Sequence, residues 1–244
     1  MGRLVVITSG KGGAGKTSVT AGIGAALAAR ARRVLLVDAC AGARCLDMYT
    51  GLAGEVLYDL GDVLTGRCTP SMAIHTVGSG LDLLAGPQRQ EDFCDKGQIA
   101  SLYQVLTQHY DFVLVDSPPG IGRGFELALS GAEEALVAVT PDEVCLRIAH
   151  DVAVKLTNLG VGNARMIINR FLPTLIWSGV LPNVDQMIDR TGLQLLGVVP
   201  EDGEIALSAA KGVLLRRGRA KLAFGRIAAR LDGEEVPLAN LKRL

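Results

Sequence analysis

The sequence predicts an α/β fold: a single domain with a mostly parallel central sheet and helices on both faces. Three observations lead there. Apolar runs of three to five residues recur along the 244-residue chain, and they are continuous rather than alternating, as strands buried on both faces require. Segments with helical periodicity fall between them, the order expected of strand–helix–strand crossovers. A glycine-rich loop follows the first run and opens the first helix.

In chain order, residues 4–7 (LVVI) form the first strand. The first helix starts at Lys16 and repeats apolar residues at Val19, Ile23, Ala26 and Leu27. Residues 34–37, 112–115, 135–139, 166–168 and 195–199 read as further buried strands, and 81–84 is a candidate for one more. Helices are expected over 99–108, 143–159 and 221–231. The chain shows no internal repeat, linker or low-complexity tract, so 1–236 reads as one domain and 237–244 as a short tail. The pattern does not specify strand order.

Composition narrows the function. Lys+Arg and Asp+Glu are both 25, so no net charge favours nucleic acid over the whole surface, and no specific nucleic acid is expected. No window offers the roughly 20 apolar residues of a membrane span. Residues 1–9 lead straight into the glycine-rich loop, so no signal peptide is expected. The five cysteines (Cys40, Cys45, Cys68, Cys94 and Cys145) form no CxxC pair and are odd in number, which fits reduced thiols in a cytoplasmic protein. His75 and His109 belong to no cluster and read as structural or solvated.

The loop carries the chemistry. Residues Gly10-x4-Gly15-Lys16-Thr17 complete a phosphate-binding P-loop pattern, and the strand before it and the helix after it supply the required context. Backbone N–H groups of Gly12, Gly13, Ala14, Gly15 and Lys16 are placed to wrap phosphates, Lys16 to reach the β- and γ-phosphates, and Thr17 to offer its hydroxyl to Mg²⁺. A carboxylate at the end of a neighbouring strand should support the metal. Asp116, after 112–115, and Asp38, after 34–37, are the candidates. The expected fold is therefore that of a P-loop NTPase.

Residues 11–17, KGGAGKT, resemble the deviant Walker A motif of the MinD/ParA ATPases. Leu46-Asp47, Asp116-Ser117-Pro118, Gly120-Ile121, Ile168-Asn169-Arg170, the stretch GVVPED at 197–202 and GEEVPL at 233–238 extend the resemblance to the MinD members over nearly the whole chain. It implies a Mg-ATP-dependent dimerising switch, cycling between ATP and ADP and acting in division-site selection or spatial organisation. Lys11 would cross the dimer interface to the partner's nucleotide, so Lys11, Lys16, Asp38 and the residue at position 40 would be catalytic. Gly10, Ser18 and Gly120 would line the nucleotide, Asn169 with Arg170 would meet adenine, and Pro200, Glu201 and Asp202 would close over it. Thr17, Asp38 and Asp116 would hold the metal.

Three departures from that pattern bear on function. Cys40 stands where the resemblance places an aspartate beside the attacking water, and Cys45 replaces an asparagine. Either hydrolysis is impaired, or another carboxylate such as Asp38 suffices. A redox or metal role for the two cysteines is disfavoured by the lack of a CxxC or histidine set. After Thr140-Pro141, Arg147 is kept but Ile148 and His150 replace acidic residues, which implies an altered surface for a MinC- or MinE-like partner. At the tail, Leu238, Leu241 and Leu244 beside Lys242 and Arg243 fall short of a stable isolated helix, leaving either a solvated tail or a weak anionic-membrane contact on the inner face of the membrane. The basic run Arg216, Arg217, Arg219 and Lys221 reads as a solvated face, with anionic lipid or DNA second. The rival functions are a flagellar-number or ParA-type cargo positioner and a low-turnover nucleotide-bound adaptor. An iron–sulfur carrier and a small-molecule kinase are less favoured.

Overall fold

A computed structural model describes residues 1–243. The strands are β1 (Arg3–Thr8), β2 (Val34–Asp38), β3 (Ile74–Gly78), β4 (Leu81–Leu84), β5 (Phe112–Asp116), β6 (Glu134–Val139), β7 (Asn163–Phe171) and β8 (Gln194–Pro200). The helices are α1 (Lys16–Ala28), α2 (Leu46–Thr50), α3 (Leu60–Leu64), α4 (Pro70–Ala73), α5 (Lys96–His109), α6 (Arg123–Ala128), α7 (Glu143–Asn158), α8 (Pro173–Trp177), α9 (Val184–Thr191), α10 (Gly203–Ala210) and α11 (Arg219–Leu231). The expected strands and long helices are all present, most of them a few residues longer than the apolar runs alone indicate. Residues 81–84 are β4.

The eight strands form one sheet in the order β3-β4-β2-β5-β1-β6-β7-β8. Every neighbouring pair is parallel except β3 with β4, which is antiparallel. The expected α/β architecture is therefore the observed one. Strand β3 (IHTVG) is half-buried and lacks the continuous apolar run that marks the other strands, so periodicity does not reveal it.

Apolar side chains alternate along each strand between two cores. Val6, Val37, Val115 and Val137 face α5, α6 and α7, while Val5, Ile7, Leu36 and Leu114 face α1 and α11. Each fully buried valine or leucine contributes about 1.5–3 kcal/mol, and this two-sided burial fixes the sheet as the rigid frame. Because β2, β5 and β1 are parallel neighbours, their carboxyl ends lie along one edge, where open α/β sheets place their ligand sites.

The tail lies against the domain. Leu241 packs on the larger core, the Lys242 ammonium sits 5.3 Å from the Trp177 ring centroid, and Leu238 is 41% exposed. Leu238 and Leu241 thus do not form one free apolar stripe, since the core already takes Leu241. Leu244 lies outside the described residues. No helix among the described residues is long and apolar enough to cross a membrane. In the basic run, Arg217 pairs with Glu204 at 3.0 Å, and Arg216, Arg219 and Lys221 are exposed.

Candidate nucleotide-binding site

The chain leaves β1 at Thr8 and turns through residues 9–15 into α1. Ser9 is buried and fastens the start of the turn: its Oγ accepts from the Lys11 N–H at 3.2 Å and donates to the Lys11 carbonyl at 3.3 Å. Gly15 caps α1 in the left-handed region at φ 89°, where any side chain would strain the backbone. A Cβ there would also fall 2.2 Å from Asn169 Nδ2. At the mouth of the turn, a Cβ at Gly12 or Gly13 would meet nothing within 4 Å, so the concavity is open. The dipole of α1 and its first N–H groups point into it, an environment that favours anions.

The two loop lysines have different surroundings. Lys16 is 7% exposed and belongs to the loop interior. Lys11 lies on the rim, 37% exposed, with Nζ 2.9 Å from both carboxylate oxygens of Asp142. Burial pushes the pKa of Asp142 up, but hydrogen bonds from Thr140 Oγ1, Lys11 and the Cys145 N–H overcome this and hold it below the usual carboxylate range. The same carboxylate caps α7, so the rim lysine is tied to that helix.

Asp38 and Asp116 are register partners on β2 and β5, and both are completely buried. Asp116 Oδ2 accepts from Thr17 Oγ1 at 2.6 Å, which joins the strand end to the start of α1. Burial, followed by the nearby Asp38, pushes the pKa of Asp116 up to about 7. Asp38 Oδ1 accepts from the Cys40 N–H at 2.9 Å, and Oδ2 accepts from the Cys45 and Leu46 N–H groups at 2.9 and 3.1 Å. Burial also raises the pKa of Asp38, opposed by these three bonds. Cys40 is 7% exposed, and burial, then the two aspartates, push its thiol pKa far above the ordinary value.

The remaining expected residues fall around this centre. Asn169, 3% exposed at the end of β7, donates from Nδ2 to the Ala14 carbonyl at 2.9 Å and braces the loop from below. Its Oδ1 is buried without a partner. Arg170 has φ 56°, and its Nε is 3.9 Å from Glu201. Pro200 ends β8, and Asp202 accepts from the Glu204 and Ala220 N–H groups at 3.0 and 2.9 Å, so its carboxylate ties the 200–202 segment to α10 and α11. Gly120 lies in the open loop after β5 at φ 88°. The Ser18 hydroxyl is 3.0 Å from that of Tyr49, so it is engaged with a neighbouring side chain.

Helix α7 modifies one expectation. Ile148 is half-buried, and a Cβ added at Gly10 would fall 2.0 Å from its Cγ2, so Ile148 packs on the phosphate loop rather than only on a partner surface. His150 and Arg147 are exposed and, with Glu143, Val144, Leu146 and Arg190, line a surface pocket of about 560 Å³. Sequence reasoning missed Asp142 and the loop-bracing role of Asn169, because both act on residues more than 130 positions away.

The geometry fits magnesium and a nucleoside triphosphate. The open glycine cradle, the enclosed Lys16 side chain, the hydroxyl of Thr17 on a buried carboxylate and the orphaned amide oxygen of Asn169 are groups available to such a ligand. The family described as the CobQ/CobB/MinD/ParA nucleotide-binding domain matches residues 5–215. The septum site-determining protein MinD of Synechocystis sp. is 35% identical over 247 residues, covering 98% of this chain and 93% of that protein. The MinC:MinD cell division complex of Aquifex aeolicus superposes with a TM-score of 0.91 at 35% identity and 98% coverage of both chains. MinD of Pyrococcus horikoshii, solved with Mg-ADP, superposes with a TM-score of 0.86 at 29% identity, covering 96% of this chain and 97% of that one. With the family model matching residues 5–215 and septum site-determining relatives matching 98% of its length, the chain belongs to the MinD septum site-determining family within the CobQ/CobB/MinD/ParA nucleotide-binding proteins.

Proposed function

We propose that this chain is a Mg-ATP-dependent dimerising switch in division-site placement. The observation that carries the reading is the division of labour between two lysines in one loop. Lys16 is enclosed with the cradle, whereas Lys11 stands on the exposed rim, held by a carboxylate it can leave. Lys16 and the loop N–H groups bind the phosphates. Thr17, supported by Asp116 and neighboured by Asp38, faces the metal. Magnesium, when bound there, supplies charge that offsets the phosphates and fixes their orientation. Lys11, once released from Asp142, offsets the phosphates of a facing subunit, where two nucleotides concentrate negative charge. Asn169 Oδ1 is the acceptor available to an adenine amino group, with Arg170, Pro200, Glu201 and Asp202 around the base.

Hydrolysis in this reading is slow. Cys40 occupies the place of a water-positioning carboxylate, and its buried thiol remains neutral, a weak acceptor. The adaptor reading rests on the same residue. A MinC-like partner fits the exposed face of α7, with Arg147 kept and His150 replacing an acidic residue. The chain works in the cytoplasm, and weak peripheral membrane contact through the tail in the dimer requires Leu241 to leave the core on which it packs. The ParA-type alternative has less support, because the full-length similarity is to septum site-determining relatives.

Light scattering with and without Mg-ATP tests the proposal. The expected result is a nucleotide-free monomer and an ATP dimer. A chain that binds ATP and remains monomeric under all conditions would refute the switch.

A further inference from the structure

We propose that Asp38, Cys40 and Asp116 form a site for a thiophilic divalent cation, of the zinc and cadmium class, that loads without nucleotide and competes with magnesium. One ligand atom from each residue lies within 4.8 Å of the other two, and all three residues are buried. Among the described residues this is the one cluster of three histidine, cysteine or carboxylate ligand atoms that meets this spacing.

The sheet builds the cluster: the CxxC or histidine set whose absence from the sequence counts against a metal role for Cys40 is replaced in the fold by two strand-end carboxylates. Asp38 and Asp116 are register partners on adjacent parallel strands, and Cys40 follows two residues after β2, its N–H bonded to Asp38 Oδ1 at 2.9 Å. The thiol sits over the end of β5, 3.9 Å from the Asp116 carbonyl, at the outer limit of a sulfur hydrogen bond, and no donor among the described residues engages its lone pairs. Enough oxygen lone pairs remain. Asp38 Oδ1 has accepted one bond and its Oδ2 two, while Asp116 Oδ2 has accepted one strong bond from Thr17 and its Oδ1 one long bond, 3.5 Å, from Thr20. Zinc bonds of about 2.0–2.2 Å to oxygen and about 2.3 Å to sulfur give tetrahedral ligand separations of about 3.3–3.7 Å, so from separations of at most 4.8 Å the triangle contracts by no more than about 1.5 Å.

The donor set selects the ion. Magnesium requires octahedral oxygen ligands and discriminates against sulfur, whereas a thiolate draws softer ions. On binding, the Cys40 S–H bond breaks, the sulfur pair forms the metal bond and the proton passes to buffer. The resulting thiolate and two carboxylates are offset by the cation and by nearby Lys16. Three protein ligands leave a fourth position open, so the ion is exchangeable. The inference rests on the strand-end geometry and does not require hydrolysis or dimerisation.

The test titrates cadmium into the reduced, nucleotide-free full chain and follows the thiolate-to-cadmium charge-transfer absorption. The wild type should show one equivalent with the band. Cys94→Ser, which removes the exposed cysteine, should keep it. Cys40→Ser should lose it and bind at least about 10-fold more weakly, the lower range for disturbing a metal's surroundings. X-ray absorption on the cadmium-loaded wild type needs no variant and should show one sulfur among oxygens. No band in the wild type, a full band in Cys40→Ser, or a shell with no sulfur or several would overturn the proposal. A wild type that binds nucleotide but not cadmium sinks this inference alone, whereas one that binds cadmium but not nucleotide sinks the function proposed above.

Discussion

Replacing Gly10 with alanine tests whether helix α7 sets the shape of the phosphate loop. Gly10 is absent from the glycines at positive φ, so alanine meets no backbone penalty there. The cost is contact: its Cβ would fall 2.0 Å from Ile148 Cγ2 and 3.0 Å from Val152 Cγ2, well inside the 3.4 Å at which ordinary contact begins. Cγ2 is fixed to the branched Cβ and has one favoured χ1 in a helix, so it cannot swing away cheaply. Overpacking of this kind costs about 1–3 kcal/mol, which in a chain of this size lowers Tm by roughly 2–12 °C. The decisive measurement is a double-mutant cycle by thermal or chemical unfolding, with fluorescent ATP-analogue binding read alongside. Ile148→Ala makes room, so Gly10→Ala should cost at least about 1 kcal/mol less in that background, and nucleotide binding lost in the single variant should return. Costs additive within about 0.3–0.5 kcal/mol would refute the coupling of loop and helix.

Further outcomes follow from the site. Lys16→Ala should abolish ATP binding, while Lys11→Ala should leave it largely intact and prevent dimer closure, as read by nucleotide titration and light scattering. Cys40→Asp should raise turnover, toward the roughly 10²–10⁴-fold that a positioned base supplies; a wild type faster than the variant would show that another group orients the water. Asp116 has a folded-state pKa near 7, above its unfolded value, so in the nucleotide-free protein it contributes stability below about pH 4 that is lost as pH rises through 7. Asp116→Asn should flatten that part of the Tm–pH curve, and an unchanged slope would exclude Asp116 as its source. Removal of residues 238–244 should weaken ATP-dependent sedimentation with anionic liposomes, since two tails on one dimer act by avidity; no change would remove the tail from any membrane role.

Sequence revealed the parts of the fold that depend on local composition. Continuous apolar runs exposed the buried parallel strands, and glycine, lysine and threonine spacing exposed the loop. Strand β3 escaped because an antiparallel edge strand needs only partial burial. Within the site, Lys16, Thr17 and the two aspartates were legible as candidates from their positions after strands, and Lys11 only through the family resemblance. The Lys11–Asp142 pair, the Asn169 brace under Ala14 and the packing of Ile148 on Gly10 were not, because each joins segments brought together by strand order alone. Ile148 shows the limit most clearly: in sequence it is an apolar residue at a surface position, and in the fold it forms one wall of the loop.

The central placement of β1 also dictates when the site can exist during synthesis. The loop-bearing strand is made before its sheet neighbours β5 and β6, before β7, which supplies its brace, and before α11, which packs on α1. Apart from the local Ser9–Lys11 bonds, the side-chain contacts that brace residues 9–17 span large sequence separations, and such long-range closure is slow. The loop is thus made well before it is competent: until β7 is made it lacks its Asn169 support. Nascent chains truncated before residue 163 should therefore fail to retain nucleotide, however completely their own helices have formed.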